Sequence, residues 1–262
     1  MTTETDNELV TRQNEVYGTF SERFPILYEQ SGRVQKALKI IAVMRDFAKG
    51  DVSSLKVLDV GGSAGVMTEV FADSFSEVVE LDIDHVAVRK GQENCASDNV
   101  RWICGDGTKL PFADESFDCV ICNHVYEHVD NHVGLVAEII RILKPDGFCY
   151  WSAGSRFVLV EGHYKLPFLS WLPHRLSDFY MKICGKQGGY DVTLLSYRNL
   201  KKLLKPFKRH DYTIPILKDP KRFAADDLQE QNGLAFKIPT WIYKLCYPML
   251  PIWIWVLTKD DE

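Results

Sequence analysis

The stretch VLDVGGSAGVMT, residues 57–68, joins a short apolar run to a cluster of small residues and then to a helix-compatible segment. Small residues let the chain turn sharply and let a ligand approach the backbone. A following helix offers unpaired N–H groups at its start. Together these read as a nucleotide-type cradle at the carboxyl end of a first strand. A dinucleotide fingerprint wants glycine at the first, third and sixth positions of the turn, and these are Gly61, Ser63 and Val66, so two of them fail. The Gly-Lys-Ser/Thr ending of a phosphate-binding P-loop is absent. An acidic-x-Gly-x-Gly-x-Gly pattern fits better: it reads Asp59, Gly61, Ser63, Gly65, and only Ser63 departs. An ordinary strand-to-helix turn has the same local look, so the neighbouring segments decide.

The next segment, VVELDID at 78–84, ends a second strand in acids. Asp82 stands about 20 residues beyond Gly61, the separation expected of a carboxylate that grips a ribose hydroxyl. Glu80, on the same strand face but deeper, and Asp84 are rivals. Apolar strand-like runs at 55–60, 77–81, 100–104, 117–122 and 147–153 alternate with helical segments at 66–75 and 85–96 and one ending at Leu143. That alternation predicts an α/β fold with a mostly parallel sheet. Before it, 33–48 carries Val34, Leu38, Ile41 and Phe47 at helical spacing. After it, the rhythm breaks into an aromatic stretch at 155–195, then a helix at 197–205, a strand at 207–214, a polar loop at 218–236 and an apolar strand at 251–258. The organisation expected is one domain: a helical lead-in at 1–54, a cofactor-binding core at 55–154, an acceptor-side insertion at 155–195 and a carboxyl-terminal part at 196–262.

The segments LDVGGSAG, LDID, GDGTKLPFADESFD, EHV and RILKPDG, taken as a set, resemble the class I S-adenosylmethionine-dependent methyltransferases, of the type 11-like kind that includes quinone- and sugar-modifying enzymes. The resemblance implies a Rossmann-like three-layer sandwich whose seven-stranded, mostly parallel sheet ends in antiparallel strands. It implies S-adenosyl-L-methionine as cofactor. Asp59, Gly61, Gly62, Ser63 and Gly65 would line the methionine part. Asp82 would hold the ribose, Ile83 would pack on the adenine, Asp106 would meet the adenine amine beside Gly107, and Asn123 would lie near the reacting end. Two departures are Ser63, where glycine is usual, and Asp146, where KPGG is usual.

If the acceptor is a hydroxyl, a general base helps. His124, just past the fourth strand, and His163, within EGHYKLPFLSWLP of the insertion, are the candidate catalytic residues. His128 reads as structural. His124, Glu127 and His128 also spell H-x-x-E-H, a zinc-peptidase pattern. His132 continues the series at helical spacing, yet the five-residue match is short, and the site is expected to hold no catalytic metal. The insertion segment 157–173 resembles, more weakly, one in bacterial methyltransferases of sugar and cell-surface glycan pathways. The expected acceptor is therefore a sugar, glycan or related small molecule, with a quinone or lipid head group as the alternative and a non-catalytic cofactor-binding module as a reading of another class.

Composition narrows the field further. The 262 residues carry a formal net charge of −5, which gives no global pull toward nucleic acid. Seven scattered cysteines and a polar, acidic amino terminus suggest a reducing cytoplasm. Cys119 and Cys122 form a CxxC, but three residues apart on a strand they point to opposite faces, as core residues do. Residues 238–257 are long and apolar enough to raise a membrane span, but Pro239, Pro248 and Pro251 argue against one helix. They are expected to form a loop and the last strand, with membrane contact at most peripheral. The basic run KKLLKPFKR at 201–209 reads as a solvated helix face.

Overall fold

The computed structural model describes residues 30–225 and 238–260. Most of the lead-in (1–29) and much of the polar loop (226–237) expected from the sequence lie outside the described residues. Strands β1 (Lys56–Val60), β2 (Glu77–Asp82), β3 (Val100–Cys104), β4 (Phe117–Asn123) and β5 (Leu143–Gly154) run parallel. β7 (Ile252–Lys259) pairs antiparallel with both β5 and β6 (Phe207–Asp211). The order across the sheet is β3-β2-β1-β4-β5-β7-β6. This is the seven-stranded Rossmann-like arrangement, with antiparallel strands at one edge. The order reverses between β1 and β4, and in such sheets ligands bind in the crevice at the carboxyl ends of the strands at that point.

The inner strands are apolar on both faces because both faces are covered. Val57, Val78, Cys119 and Ile121 face one layer, packed by Ala37, Ile40, Ile41 and Met44 of helix α1 (Gln30–Ala48) and by Phe71 of α2 (Thr68–Ala72). Leu58, Val79, Leu81, Val120 and Cys122 face the other, packed by Leu135, Ile139 and Ile142 (the latter three on one helix, His132–Ile142). Cys119 and Cys122 thus fall in opposite layers. In α1 the buried stripe is Ala37, Ile40, Ile41 and Met44, whereas Val34 and Leu38 of the expected apolar face are exposed.

Boundaries shift where local chemistry overrides pattern. Helix α3 (His85–Asn94) starts at Asp84, whose carboxylate accepts from the N–H groups of Val86 and Ala87. The expected continuous helix after β4 is instead a 3-10 turn (Tyr126–His128), extended backbone at Val129, and then helix α4 (His132–Ile142), capped by Asn131. β6 stops at Asp211 and gives way to a helix, Thr213–Lys218, rather than running to 214. Within 238–257 a short helix, Thr240–Cys246, precedes β7 where a loop was expected, and among the described residues no helix is long and apolar enough to cross a membrane.

Trp102 of β3 explains two glycines. A Cβ on Gly65 would lie 2.1 Å from its indole ring, and one on Gly91 of α3 would lie 2.3 Å from it. Gly91→Ala should therefore destabilise the protein by about 1–3 kcal/mol through overpacking. Urea denaturation reads the loss, and Trp102→Leu in the same chain should recover part of it.

Candidate active site

Asp59, at the carboxyl end of β1, Glu80 and Asp82, at the end of β2, place three carboxylates under the glycine-rich turn. Asp59 and Glu80 are buried. Thr68 Oγ1 donates to Glu80 Oε1 at 2.6 Å, while Glu80 Oε2 and Asp59 Oδ2 have no hydrogen-bond partner among the described residues. Asp82 is fully engaged by backbone: Oδ2 accepts from Ser63 N–H and Oδ1 from Asp84 N–H, each at 2.8 Å. Burial pushes Asp59 well above the carboxylate range, an effect that Glu80 and Asp82 reinforce. Burial likewise raises Glu80 to about 8 and Asp82 to about 6.

The cation facing this cluster comes from a segment that sequence reasoning did not connect to the site. Arg33 on α1 is half-buried, and this desolvation lowers its pKa, while the carboxylates of Asp59 and Asp82 act to raise it. No motif marks this residue, since it precedes β1 by more than twenty positions and reaches the site only through packing of α1 on the sheet.

The turn is built on unusual backbone. Gly61 and Gly65 have φ of 77° and 75°, and Ser63, a residue with a Cβ, has φ of 57°. Gly62 makes room inward, since a Cβ there would sit 1.6 Å from Glu80 Oε2. Gly61 makes room toward β4, where a Cβ would meet Val125 at 2.7 Å. Asp106 and Gly107 follow β3: Asp106 Oδ1 accepts from Thr108 N–H at 2.8 Å, and Gly107 lies against Val60 and Leu135. Ile83 is half-buried between Asp82 and Asp84, and its carbonyl faces Cys104 Sγ at 3.7 Å. The LPFADESFD segment is held from below: Arg141 of α4 donates to the carbonyls of Leu110 and Phe112 and to Asp114 and Glu138.

Across the crevice lies a second cluster. Asn123 ends β4, and His124 follows with a left-handed φ of 58°. His124 Nδ1 pairs with Glu127 Oε1 at 2.9 Å and Nε2 with Ser152 Oγ at 3.1 Å, so both ring nitrogens are engaged. The insertion adds His163, whose Nδ1 pairs with buried Glu161 Oε1 at 2.7 Å. His163 packs edge-on against His128, ring centroids 4.9 Å apart. Burial pulls His128 down to about 4, whereas the hydrogen bond and charge of Glu161 outweigh burial at His163 and raise it. The H-x-x-E-H series does not share a helix face, because the 3-10 turn and Val129 interrupt it. Among the described residues no group of three or more His, Cys, Asp or Glu side chains is placed to hold a metal ion.

Residues 58–151 match the family model described as a methyltransferase domain. This stretch is similar to the core of the class I methyltransferases. Its cofactor is S-adenosylmethionine. Over 100 residues the chain is 36% identical to the demethylmenaquinone methyltransferase of Renibacterium salmoninarum, covering 38% of this chain and 41% of that one. It is 31% identical over 136 residues to the bifunctional biotin-biosynthesis protein BioHC of Cellvibrio japonicus, covering 51% of this chain and 26% of the relative. The matches thus span well under half the length of these curated relatives. In fold it is similar to the PH0226 protein of Pyrococcus horikoshii (TM-score 0.60, 18% identity, covering 95% of this chain and 99% of that one). It is also similar to a phosphoethanolamine N-methyltransferase of Haemonchus contortus (TM-score 0.58, 14% identity, covering 100% and 51%).

The methyltransferase core fits its cofactor on physical grounds. Buried carboxylates that outnumber their cations, two of them with an orphaned oxygen, suit a ligand carrying ammonium, sulfonium and hydroxyl groups.

Two outcomes follow. Ser63 occupies backbone that glycine adopts without penalty, so Ser63→Gly should stabilise the protein by about 0.5–1 kcal/mol, read as a raised Tm. Glu80 holds its proton to higher pH when folded than when unfolded, so stability should rise as pH falls from about 8 toward about 6.5. Below about 6.5, His128, neutral when folded, works in the opposite sense. Thermal unfolding across this window should show a steeper slope in the wild type than in Glu80→Gln, the remainder coming from Asp59 and His163, whose folded pKa values are also raised.

Proposed function

We propose that the protein transfers a methyl group from S-adenosylmethionine to a ring-bearing lipid head group of the quinone kind. The carrying observation is the Glu161–His163 pair, brought by an apolar, aromatic insertion to the carboxyl ends of β4 and β5. Similarity to proteins named demethylmenaquinone methyltransferases supports the acceptor class. The side chains exposed around the insertion, among them Phe157, Leu159, Val160 and Phe168, are aliphatic and aromatic, which suits an apolar acceptor better than a sugar.

In this reading Asp59 and Arg33 face the charged methionine end, Gly61, Gly62, Ser63 and Gly65 let the backbone approach it, and Asp82 meets the ribose hydroxyls. Asp82 also fastens the turn through Ser63 N–H, so it shapes the pocket as well as lining it. Ile83, Asp106 and Gly107 border the adenine. S-adenosylmethionine, when bound, supplies a methyl group on a positively charged sulfur. What remains for the chain is to align the acceptor, exclude water and take the proton that the acceptor hydroxyl, or the ring carbon activated by it, must lose. His163 is the base. Glu161 accepts the Nδ1 proton, so in the neutral imidazole the lone pair lies on Nε2, and Glu161 stabilises the imidazolium that forms. His124, with both nitrogens tied to Glu127 and Ser152, is a positioning residue that fixes the end of β4 beside Asn123.

Methyl release from labelled cofactor, measured with hydroxylated quinones, sugar nucleotides and glycans, tests the proposal. Transfer is expected to the quinones, and His163→Asn should lower kcat about 100-fold or more. The rate should rise with pH through a value above that of an ordinary histidine, because the base must be neutral and its pKa is raised. Transfer to sugars alone would contradict the acceptor class. Cofactor binding without transfer to any acceptor would leave a binding module.

A further inference from the structure

The insertion between β5 and the helix Tyr197–Leu203 folds around its own small core of Leu169, Met181, Tyr190 and Val192. Its helix α5 (His174–Ile183) turns Ser177 and Met181 inward. On the outward side, Leu176, Phe179 and Ile183 recur at helical spacing and are 54%, 63% and 68% exposed. One helix therefore carries apolar residues on both its covered and its open side. Just ahead of α5 in the chain, Phe157 and Phe168 both pack edge-on against Trp171 and remain open to solvent. A second apolar set, Trp241, Leu245, Met249 and Ile252, is exposed at the same end of the sheet, since Ile252 pairs with Gly154 at the carboxyl end of β5.

Charge around this face differs from the rest of the chain. The protein is acidic overall, at −5, yet within 155–195 the cations Arg156, Lys165, Arg175, Lys182 and Lys186 outnumber the acids Glu161, Asp178 and Asp191. Those acids are also turned to internal work. Glu161 is buried against His163 and the N–H of Tyr164, Asp178 accepts from Tyr190 N–H, and Asp191 accepts from the Tyr164 hydroxyl. On α5, Arg175 and Lys182 are exposed and lie together on the flank of the open apolar stripe away from Ser177 and Met181. An apolar stripe edged by long cations buries its side chains at the headgroup boundary while the charges reach the phosphates.

We propose that this face, the outer stripe of α5 with the aromatic cluster of Phe157, Phe168 and Trp171, docks on an anionic lipid bilayer. Exposed apolar area without flanking cations would fit a second copy or a soluble partner equally well. The cations are what select a negatively charged surface. The same segment carries Glu161 and His163, so docking holds the acceptor side of the site at the membrane, where a lipid-linked head group is presented. The proposal deepens the acceptor reading above and rests on it only for the identity of what enters the site.

The test is co-sedimentation of the whole chain with vesicles of phosphatidylcholine alone and of phosphatidylcholine mixed with phosphatidylglycerol, without cofactor or acceptor. The wild type should bind the phosphatidylglycerol vesicles, more weakly as salt rises, and leave the neutral vesicles largely unbound. Phe179→Glu should weaken binding about tenfold or more, as should Arg175→Glu combined with Lys182→Glu. All three side chains are exposed, and an unchanged Tm and unchanged cofactor titration would show the variants folded. Wild-type protein that ignores both vesicles overturns the proposal, as does binding that Phe179→Glu leaves intact. A solution dimer that Phe179→Glu dissolves, with no vesicle binding, assigns the face to a second copy and overturns it too. Failure here leaves methyl transfer standing, and failure of methyl transfer leaves vesicle binding standing.

Discussion

The site depends on a cluster of buried carboxyl groups at the switch point of the sheet. Asp59 and Glu80 are almost fully covered, Asp82 joins them, and half-buried Arg33 feels the charge of Asp59 and Asp82. Like charges taken out of water are costly unless they are paired or protonated. The chain answers this cost in three ways. Glu80 and Asp82 keep their protons to about pH 8 and about pH 6. Backbone N–H groups of Ser63 and Asp84 are spent on Asp82. The remaining demand, at the orphaned oxygens of Asp59 and Glu80, suits a cationic ligand.

The shape of the turn follows from the same cluster. Gly62 lacks a side chain because Glu80 lies where a Cβ would go, and Ser63 is held in left-handed backbone with its N–H on Asp82. Gly65 yields its space to Trp102. Ser63 thus departs from glycine at a position whose backbone asks for one. The strain is offset by a hydrogen bond to the carboxylate proposed to hold the ribose.

Much of this was legible in the sequence. Short apolar runs alternating with helices report the parallel sheet, because strands covered on both faces need apolar residues throughout. Asp59, Asp82 and the small residues between β1 and α2 sit on consecutive elements, so their spacing carries the information. Arg33 and Glu161 were not legible as site residues. Each reaches its cluster through packing of a segment outside the alternating core, and no spacing rule links α1 or the insertion to the strand ends. The histidine series at 124, 128 and 132 does not form one helix face, for a related reason. Helical spacing presumes a helix, and left-handed backbone at His124 with extended backbone at Val129 breaks the run before α4 begins. The histidine contact that the fold makes is instead His128 against His163, a residue of the insertion.

The insertion lies beyond the stretch that matches the methyltransferase domain, and beside it two Glu–His pairs are set differently. His124 is tied at both nitrogens into the end of β4, which suits a strut. His163 has a carboxylate on Nδ1 and a raised pKa, which suits a base. Calorimetric titration with S-adenosylmethionine tests the carboxylate pocket most directly. Wild-type protein should bind with release of protons, seen as a dependence of the heat on buffer ionisation, because a cation drives buried carboxylates to ionise. Asp59→Asn should bind at least about tenfold more weakly. Binding with no proton release, or an Asp59→Asn variant that titrates like the wild type, would contradict the account.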